Sequence, residues 1–202
     1  YVPDRTQLGR LSAADVAGAV ERSLTRLGVD TIDLVQFHWW DYGAPGAVDA
    51  LGWLADQRAA GRIRHLGVTN FDTPTLTTLL DAGLPIVSHQ VQYSVLDQRP
   101  SRAMRALCAS RGVQLLCYGT VAGGFLSERY LDRPPPREPL ENRSLVKYRL
   151  IVDEAGGWPQ LQRLRGPRRK RNPRPRPNRK RNLRQRRQTS RRADLPSPNR
   201  TR

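Results

Sequence analysis

TIDLVQFHWWDYG, residues 31 to 43, is an apolar run that ends on a histidine, two tryptophans and an aspartate. Its first half, IDLVQFH, has the length and composition of a strand buried on both faces, the habit of parallel sheets. Its second half places aromatic and titratable side chains where a plain turn would serve. In parallel α/β folds the C-terminal ends of the strands are where ligands bind. The stretch therefore decides the fold if the same pattern recurs along the chain.

It recurs three times. IRHLGVTN (63–70), IVSHQVQYS (86–94) and VQLLCYGT (113–120) are short apolar runs that each finish on polar or aromatic residues. Helical stretches lie between them. Ser12 is an N-cap with Asp15 at the third helical position, followed by the stripe Val16, Ala19, Val20, Leu24, Leu27 and a stop at Gly28. Ala47 to Ala60 places Val48, Leu51 and Leu54 inward; Asp72 or Thr73 opens a helix through Leu76, Leu79 and Leu80; Ser101 to Arg111 gives another. Strands alternating with helices of this length mean parallel βαβ units, joined by right-handed crossovers. The choice lies between an open doubly wound sheet and a (β/α)8 barrel. No G-x-G-x-x-G follows any strand, and every strand ends in side chains suited to a rim, so the barrel is favoured.

A barrel of this kind takes about 250 residues, and composition grants far fewer. From Arg165 onward 17 Lys and Arg face one acid, Asp194, whereas the first 164 residues carry a net charge of only +1. The chain thus reads as an α/β domain over 1–164, a partial (β/α)8 barrel of four to five parallel βα units, followed by a basic tail over 165–202. In that tail Leu183 and Leu195 are the only large aliphatics, so it is expected to be disordered. Upstream of it, DRPPPREPL is a proline-rich loop and RSLVKYRLIVDEAGGWPQLQRLR has room for one more helix. An open sheet of four or five strands should expose two edges and pair them readily.

Several chemistries are disfavoured. No histidine or cysteine pair has metal-ligand spacing, so no metal is expected. No G-x-S-x-G elbow is present, and neither Cys108 nor Cys117 has a nucleophile signature. These two cysteines read as reduced thiols of a cytoplasmic protein. No apolar run approaches a membrane span. His65, inside its strand with no polar neighbour, is expected to pack in the core or toward a helix; His89 is intermediate. His38, followed by Trp39, Trp40 and Asp41, is the functional candidate, with the two tryptophans walling a small-molecule pocket.

Taken in order, SLTRLGVDTIDLVQFHWWD, GRIRHLGVTNF, HQVQYSVLDQRP and VQLLCYGTVAGGFL resemble consecutive motifs of the aldo-keto reductases, over about residues 12 to 130. The resemblance implies a (β/α)8 barrel that uses NADP(H) to reduce aldehydes and ketones. It implies that His38 orients the substrate carbonyl, and that Thr69, Asn70 and Gln90 hold the nicotinamide carboxamide. Tyr118 would stack on the nicotinamide ring. Amides and a hydroxyl suit that task because they bond a neutral amide without competing charge. Gly119 stands where the family has serine.

The family's proton donor is a tyrosine tuned by a lysine and an aspartate, and no residue here matches that set. YVPD resembles what directly follows the family's lysine, so the expectation is a central fragment without measurable carbonyl reduction. The basic tail admits three readings: an arm for non-specific nucleic acid, a disordered extension, or the product of a shifted reading frame. The rival functional reading is a non-enzymatic half-barrel bearing a nucleic-acid-binding tail.

Overall fold

The computed structural model describes residues 4–130 and 132–165, all within one compact unit, Tyr1–Gly166. The expectations for the tail after Arg165 lie outside the described residues.

Four strands, β1 (Ile32–Phe37), β2 (Ile63–Thr69), β3 (Ile86–Gln92) and β4 (Gln114–Tyr118), form one parallel sheet in the order β1-β2-β3-β4. Sequential order in a parallel sheet with a helix in every crossover is the repeat of a (β/α)8 barrel. Before β1 come α1 (Arg5–Leu8) and α2 (Ala13–Leu27). The crossovers are α3 (Ala47–Ala59), α4 (Thr73–Asp81) and α5 (Ala103–Arg111).

The local signals act as the sequence suggests. Ser12 and Asp15 form a reciprocal capping box: the Ser12 N–H donates to Asp15 Oδ2 at 2.9 Å and the Asp15 N–H to Ser12 Oγ at 3.3 Å. The Ser12 hydroxyl, which donates to Asp15 Oδ2 at 2.6 Å, and then the Ser12 N–H hold the Asp15 carboxyl below its usual range. Gly28 closes α2 in the left-handed conformation (φ 66°). Asp72 caps α4, accepting from the Thr75 N–H at 2.8 Å. Ahead of α5, residues Arg99–Ser101 make a 3-10 turn and the helix starts at Ala103, two residues later than expected.

The core lies between the sheet and its helices, with Leu51, Ile63, Leu66, Val68, Leu76 and Leu79 almost fully buried. Three apolar assignments fail, and for one reason: there are fewer layers than the pattern assumed. Leu27 is 64% exposed and Val48 40% exposed, each at a helix position with no second layer to face. β1 is not buried on both faces either; Asp33 and Leu34 are exposed. His65 is also exposed. It pairs with Leu34 across the β1–β2 ladder, on the sheet face that carries no helices, and so not where core packing would put it.

Beyond β4 the βα rhythm stops, as expected, but two helices follow rather than one: α6 (Arg143–Glu154) and α7 (Gly157–Arg165). They enclose a separate small core of Ala122, Phe125, Val152, Trp158 and Leu161. Phe125, Tyr130 and Trp158 meet edge to face at centroid distances of 5.3 to 5.8 Å. The indole N–H of Trp158 donates to the Arg133 carbonyl at 2.8 Å.

Gly67 shows how tightly β2 and β3 approach. A β carbon there would overlap Ser88 Oγ and lie 3.2 Å from the Ser88 carbonyl oxygen. Among the described residues, Ser88 Oγ is buried without a hydrogen-bond partner. Gly67→Ala should therefore destabilise the chain by about 1–3 kcal/mol, read by urea denaturation, and Ser88→Gly in the same chain should recover part of the loss. An unchanged midpoint for the single variant would show that the two strands have slack.

Candidate functional site at the C-terminal rim

All four strands run parallel, so their C-terminal ends lie along one edge of the sheet, and the residues singled out from sequence are found there. Asn70 follows β2 with φ 58°, a left-handed conformation that asparagine tolerates better than most residues. Its N–H donates to the Gln90 carbonyl at 2.9 Å. Its side-chain Oδ1 accepts from the Tyr118 hydroxyl at 2.9 Å. The ends of β2, β3 and β4 are thus tied at one residue. Thr69 Oγ1 donates to Gln36 Oε1 at 3.0 Å, linking the ends of β2 and β1.

The tryptophans divide their work. Trp39 is buried, rests 5.8 Å from Phe37 and donates its indole N–H to the Ala44 carbonyl at 3.0 Å. It anchors the loop beneath the rim and also lines the groove beside His38. Trp40 is 42% exposed. With His38, which is exposed, it lines a groove of about 880 Å³ between α1, α2 and β1. A second cavity, of about 610 Å³, is lined by Asn70, Tyr118, Tyr42, Arg99 and Lys147 among others. The structure therefore joins Thr69, Asn70, Gln90 and Tyr118 through hydrogen bonds and the sheet ladder, and sets His38 with the tryptophans in a separate groove.

Four features at the rim escaped the sequence reading. The Tyr42 hydroxyl donates to the Asn70 carbonyl at 3.2 Å and accepts from the Asp72 N–H at 3.0 Å, clamping the β2–α4 turn. Partial burial pushes its acidity down, raising its pKa. Asp97 is buried, and its carboxylate takes a forked pair of bonds from Arg99 at 2.8 and 2.6 Å and a third from Gln92 Nε2 at 2.8 Å. The Arg99 bonds hold the Asp97 carboxyl below its usual range. Lys147 of α6 places its ammonium 4.8 Å from the centre of the Tyr118 ring. The Tyr148 ring beside it covers Gly119 and Gly123, where any β carbon would collide with it. Tyr42 and Asp97 were within quoted motifs and readable as polar rim residues; Lys147 and Tyr148 carry no local signal.

His89 sits beneath the rim, fully buried. Its Nε2 accepts from the Phe71 N–H at 3.1 Å, and its Nδ1 lies 3.3 Å from the Met104 sulfur. An Nε2 that accepts must leave the proton on Nδ1, so the ring is neutral. Burial lowers its pKa to about 4. It is a structural strut joining the β2–α4 turn to α5.

The charged groups around the cavity are of both signs: Arg99 and Lys147, Asp72 and Glu154. Among the described residues no cluster of His, Cys, Asp or Glu is placed to hold a metal. No helix among them is long and apolar enough to cross a membrane.

Comparison with known proteins agrees with this architecture. The family model described as "Aldo/keto reductase family" matches residues 2–171. The chain is 33% identical over 152 residues to flagellar radial spoke protein 5 of Chlamydomonas reinhardtii, covering 66% of this chain and 29% of that protein. It is 34% identical over 134 residues to 2,5-diketo-D-gluconic acid reductase B of a Corynebacterium species, covering 65% and 46%. Among solved structures, an aldo-keto reductase from Bacillus halodurans in its holo form superimposes with a TM-score of 0.54 at 33% identity, covering 62% of this chain and 41% of that one. The chain spans less than half the length of each of these relatives. A parallel βα repeat, ligand-type side chains on one rim and a family match across most of the sequence have a single reading: this chain belongs to the aldo/keto reductase family.

Proposed function

We propose that this chain forms the nicotinamide-holding side of an NADP(H)-linked carbonyl reductase, in a reducing, cytoplasmic setting. The observation that carries the reading is the Tyr118–Asn70 bond of 2.9 Å, which presents an aromatic face and a carboxamide together at the rim. In this reading Tyr118 stacks on the nicotinamide ring, and Asn70, Thr69 and Gln90 bond its amide group. His38 donates toward a substrate carbonyl. The bound cofactor, when present, supplies hydride. The chain's own residues fix which face of the ring is offered and hold the amide in plane. Lys147 over the Tyr118 ring must yield or share that face, so it tunes access. Both cysteines described, buried Cys108 and exposed Cys117, are free thiols, which accords with a reducing compartment.

The test is a titration of NADPH and NADH, followed by the change in nicotinamide fluorescence. Tyr118→Ala should weaken NADPH binding by about tenfold or more, the loss of one stacking contact of about 1–2 kcal/mol. Lys147→Ala should strengthen binding or leave it unchanged. Equal affinity for the original chain and Tyr118→Ala would refute the assignment. The preference for NADPH over NADH is read in the same titration. The competing non-enzymatic reading rests on the net charge of +16 after residue 164; it requires sequence-selective binding to nucleic acid that deletion of residues 166 to 202 abolishes.

A further inference from the structure

We propose that Tyr42 is a positioning residue for the rim: it acts through Asn70, setting the carboxamide that meets the nicotinamide amide. The inference rests on the cofactor reading, because that reading gives Asn70 its task.

The peptide unit joining Asn70 to Phe71 is gripped at both ends by side chains. Its carbonyl accepts from the Tyr42 hydroxyl at 3.2 Å, and its N–H, that of Phe71, donates to His89 Nε2 at 3.1 Å. The carbonyl and the N–H of a trans peptide point in opposite directions, so the two bonds together fix how the plane is turned. That turn matters because Asn70 holds a φ of 58°, which few residues with a side chain adopt. On its other side, the Asn70 N–H is committed to the Gln90 carbonyl at 2.9 Å. With the backbone held before and after it, the side chain leaves Asn70 in one direction. That direction brings Oδ1 to the Tyr118 hydroxyl at 2.9 Å.

Tyr42 is 48% exposed, so burial is not its main contribution. Its ring stacks on Phe71 at a centroid distance of 6.0 Å and an interplanar angle of 14°. Phe71 is buried and stacks in turn on Phe37. The stack holds the ring, and the ring aims the hydroxyl. Besides donating to the Asn70 carbonyl, that hydroxyl accepts from the N–H of Asp72, the N-cap of α4, at 3.0 Å. Asp41, one residue upstream, shapes the loop that brings Tyr42 there. Its carboxylate pairs with Arg5 at 2.9 Å and accepts from the Gly43 N–H at 2.8 Å. The end of the 31–43 stretch thus reaches from β1 across to the turn after β2 and sets its angle.

NADPH titration, followed by nicotinamide fluorescence, tests the role on the original chain, Tyr42→Phe, Asn70→Gly and the double variant. Tyr42→Phe removes the hydroxyl and keeps the stacked ring. Asn70→Gly removes the carboxamide and accepts the left-handed backbone. Each single substitution should raise the Kd about five- to tenfold, with the circular dichroism of the original retained. The double variant should match Asn70→Gly alone, because a residue that acts through the carboxamide has no target once it is gone. A merely structural Tyr42 would weaken the double variant by its own factor again, and such additivity overturns the proposal. So does a Tyr42→Phe chain that binds NADPH as the original does. The two readings fail differently. Affinity indifferent to both Asn70→Gly and Tyr118→Ala refutes the cofactor assignment, and the role of Tyr42 with it. Affinity that falls with Tyr118→Ala but not with Tyr42→Phe refutes the positioning role alone.

Discussion

The 202-residue chain is expected to bind reduced nicotinamide yet to reduce no aldehyde at a measurable rate. Carbonyl reduction needs a proton on the alkoxide as hydride arrives, and a tyrosine can give one near neutral pH only if a nearby cation lowers its pKa from about 10. The tyrosines at this rim are arranged otherwise. The Tyr42 hydroxyl is held between main-chain groups of Asn70 and Asp72, and its pKa is raised by burial. The Tyr118 hydroxyl donates to a neutral carboxamide. Lys147 lies over the ring faces of Tyr118 and Tyr148 at 4.8 and 5.2 Å, stabilising them as aromatic surfaces. Lack of a positioned acid lowers the rate by about two to four powers of ten. An assay of NADPH oxidation against a panel of aldehydes measures it. Turnover that His38→Ala abolishes would place a working acid within this chain and defeat the expectation.

The second large effect concerns acid stability. His89 has a pKa of about 4 in the folded chain against 6.5 in a free side chain. The unfolded chain therefore binds a proton that the folded chain refuses between those values. A depressed pKa gives stability that is whole above pH 6.5, falls as the pH drops, and levels off below about 4. The full loss is about 3 kcal/mol, a large share of the margin of an ordinary domain. Asp97, held below its usual range by Arg99, adds a further loss beginning only under its unfolded value of 3.8, so the two windows separate. Denaturant melts at pH 7 and pH 4.5 should differ by much of the histidine contribution. In His89→Gln, whose amide oxygen can still accept from the Phe71 N–H, the slope between these values should flatten. A slope that persists in this variant would assign it to other groups.

The strands were legible because four separate apolar runs each needed burial and each was punctuated by a cap or a glycine. Ser12, Gly28 and Asp72 act within a few residues of themselves, and nothing distant overrides them. The errors came from elements whose facing layer is absent. Leu27, Val48 and His65 follow the periodicities of buried positions, and a sequence pattern reports which face a side chain takes, not whether anything covers that face. At the rim, the motif resemblance puts Asn70 and Tyr118 on the same set of strand ends, but no sequence signal foretells the bond between them. The cover supplied by Lys147 and Tyr148 was hidden. It depends on the chain returning after a proline-rich loop, and no local rule specifies that return.

That return has a kinetic meaning. α6 carries Lys147 and Tyr148 on the side toward β4, while Val152 of the same helix is held by Phe125, Trp158 and Leu161. The face of Tyr118 is thus shielded by a helix anchored in a small aromatic cluster, not in the main core between sheet and helices. Small clusters open more often than large ones. Loosening of the Trp158–Phe125 contact would therefore uncover the Tyr118 face from some distance away, without disturbing the main core.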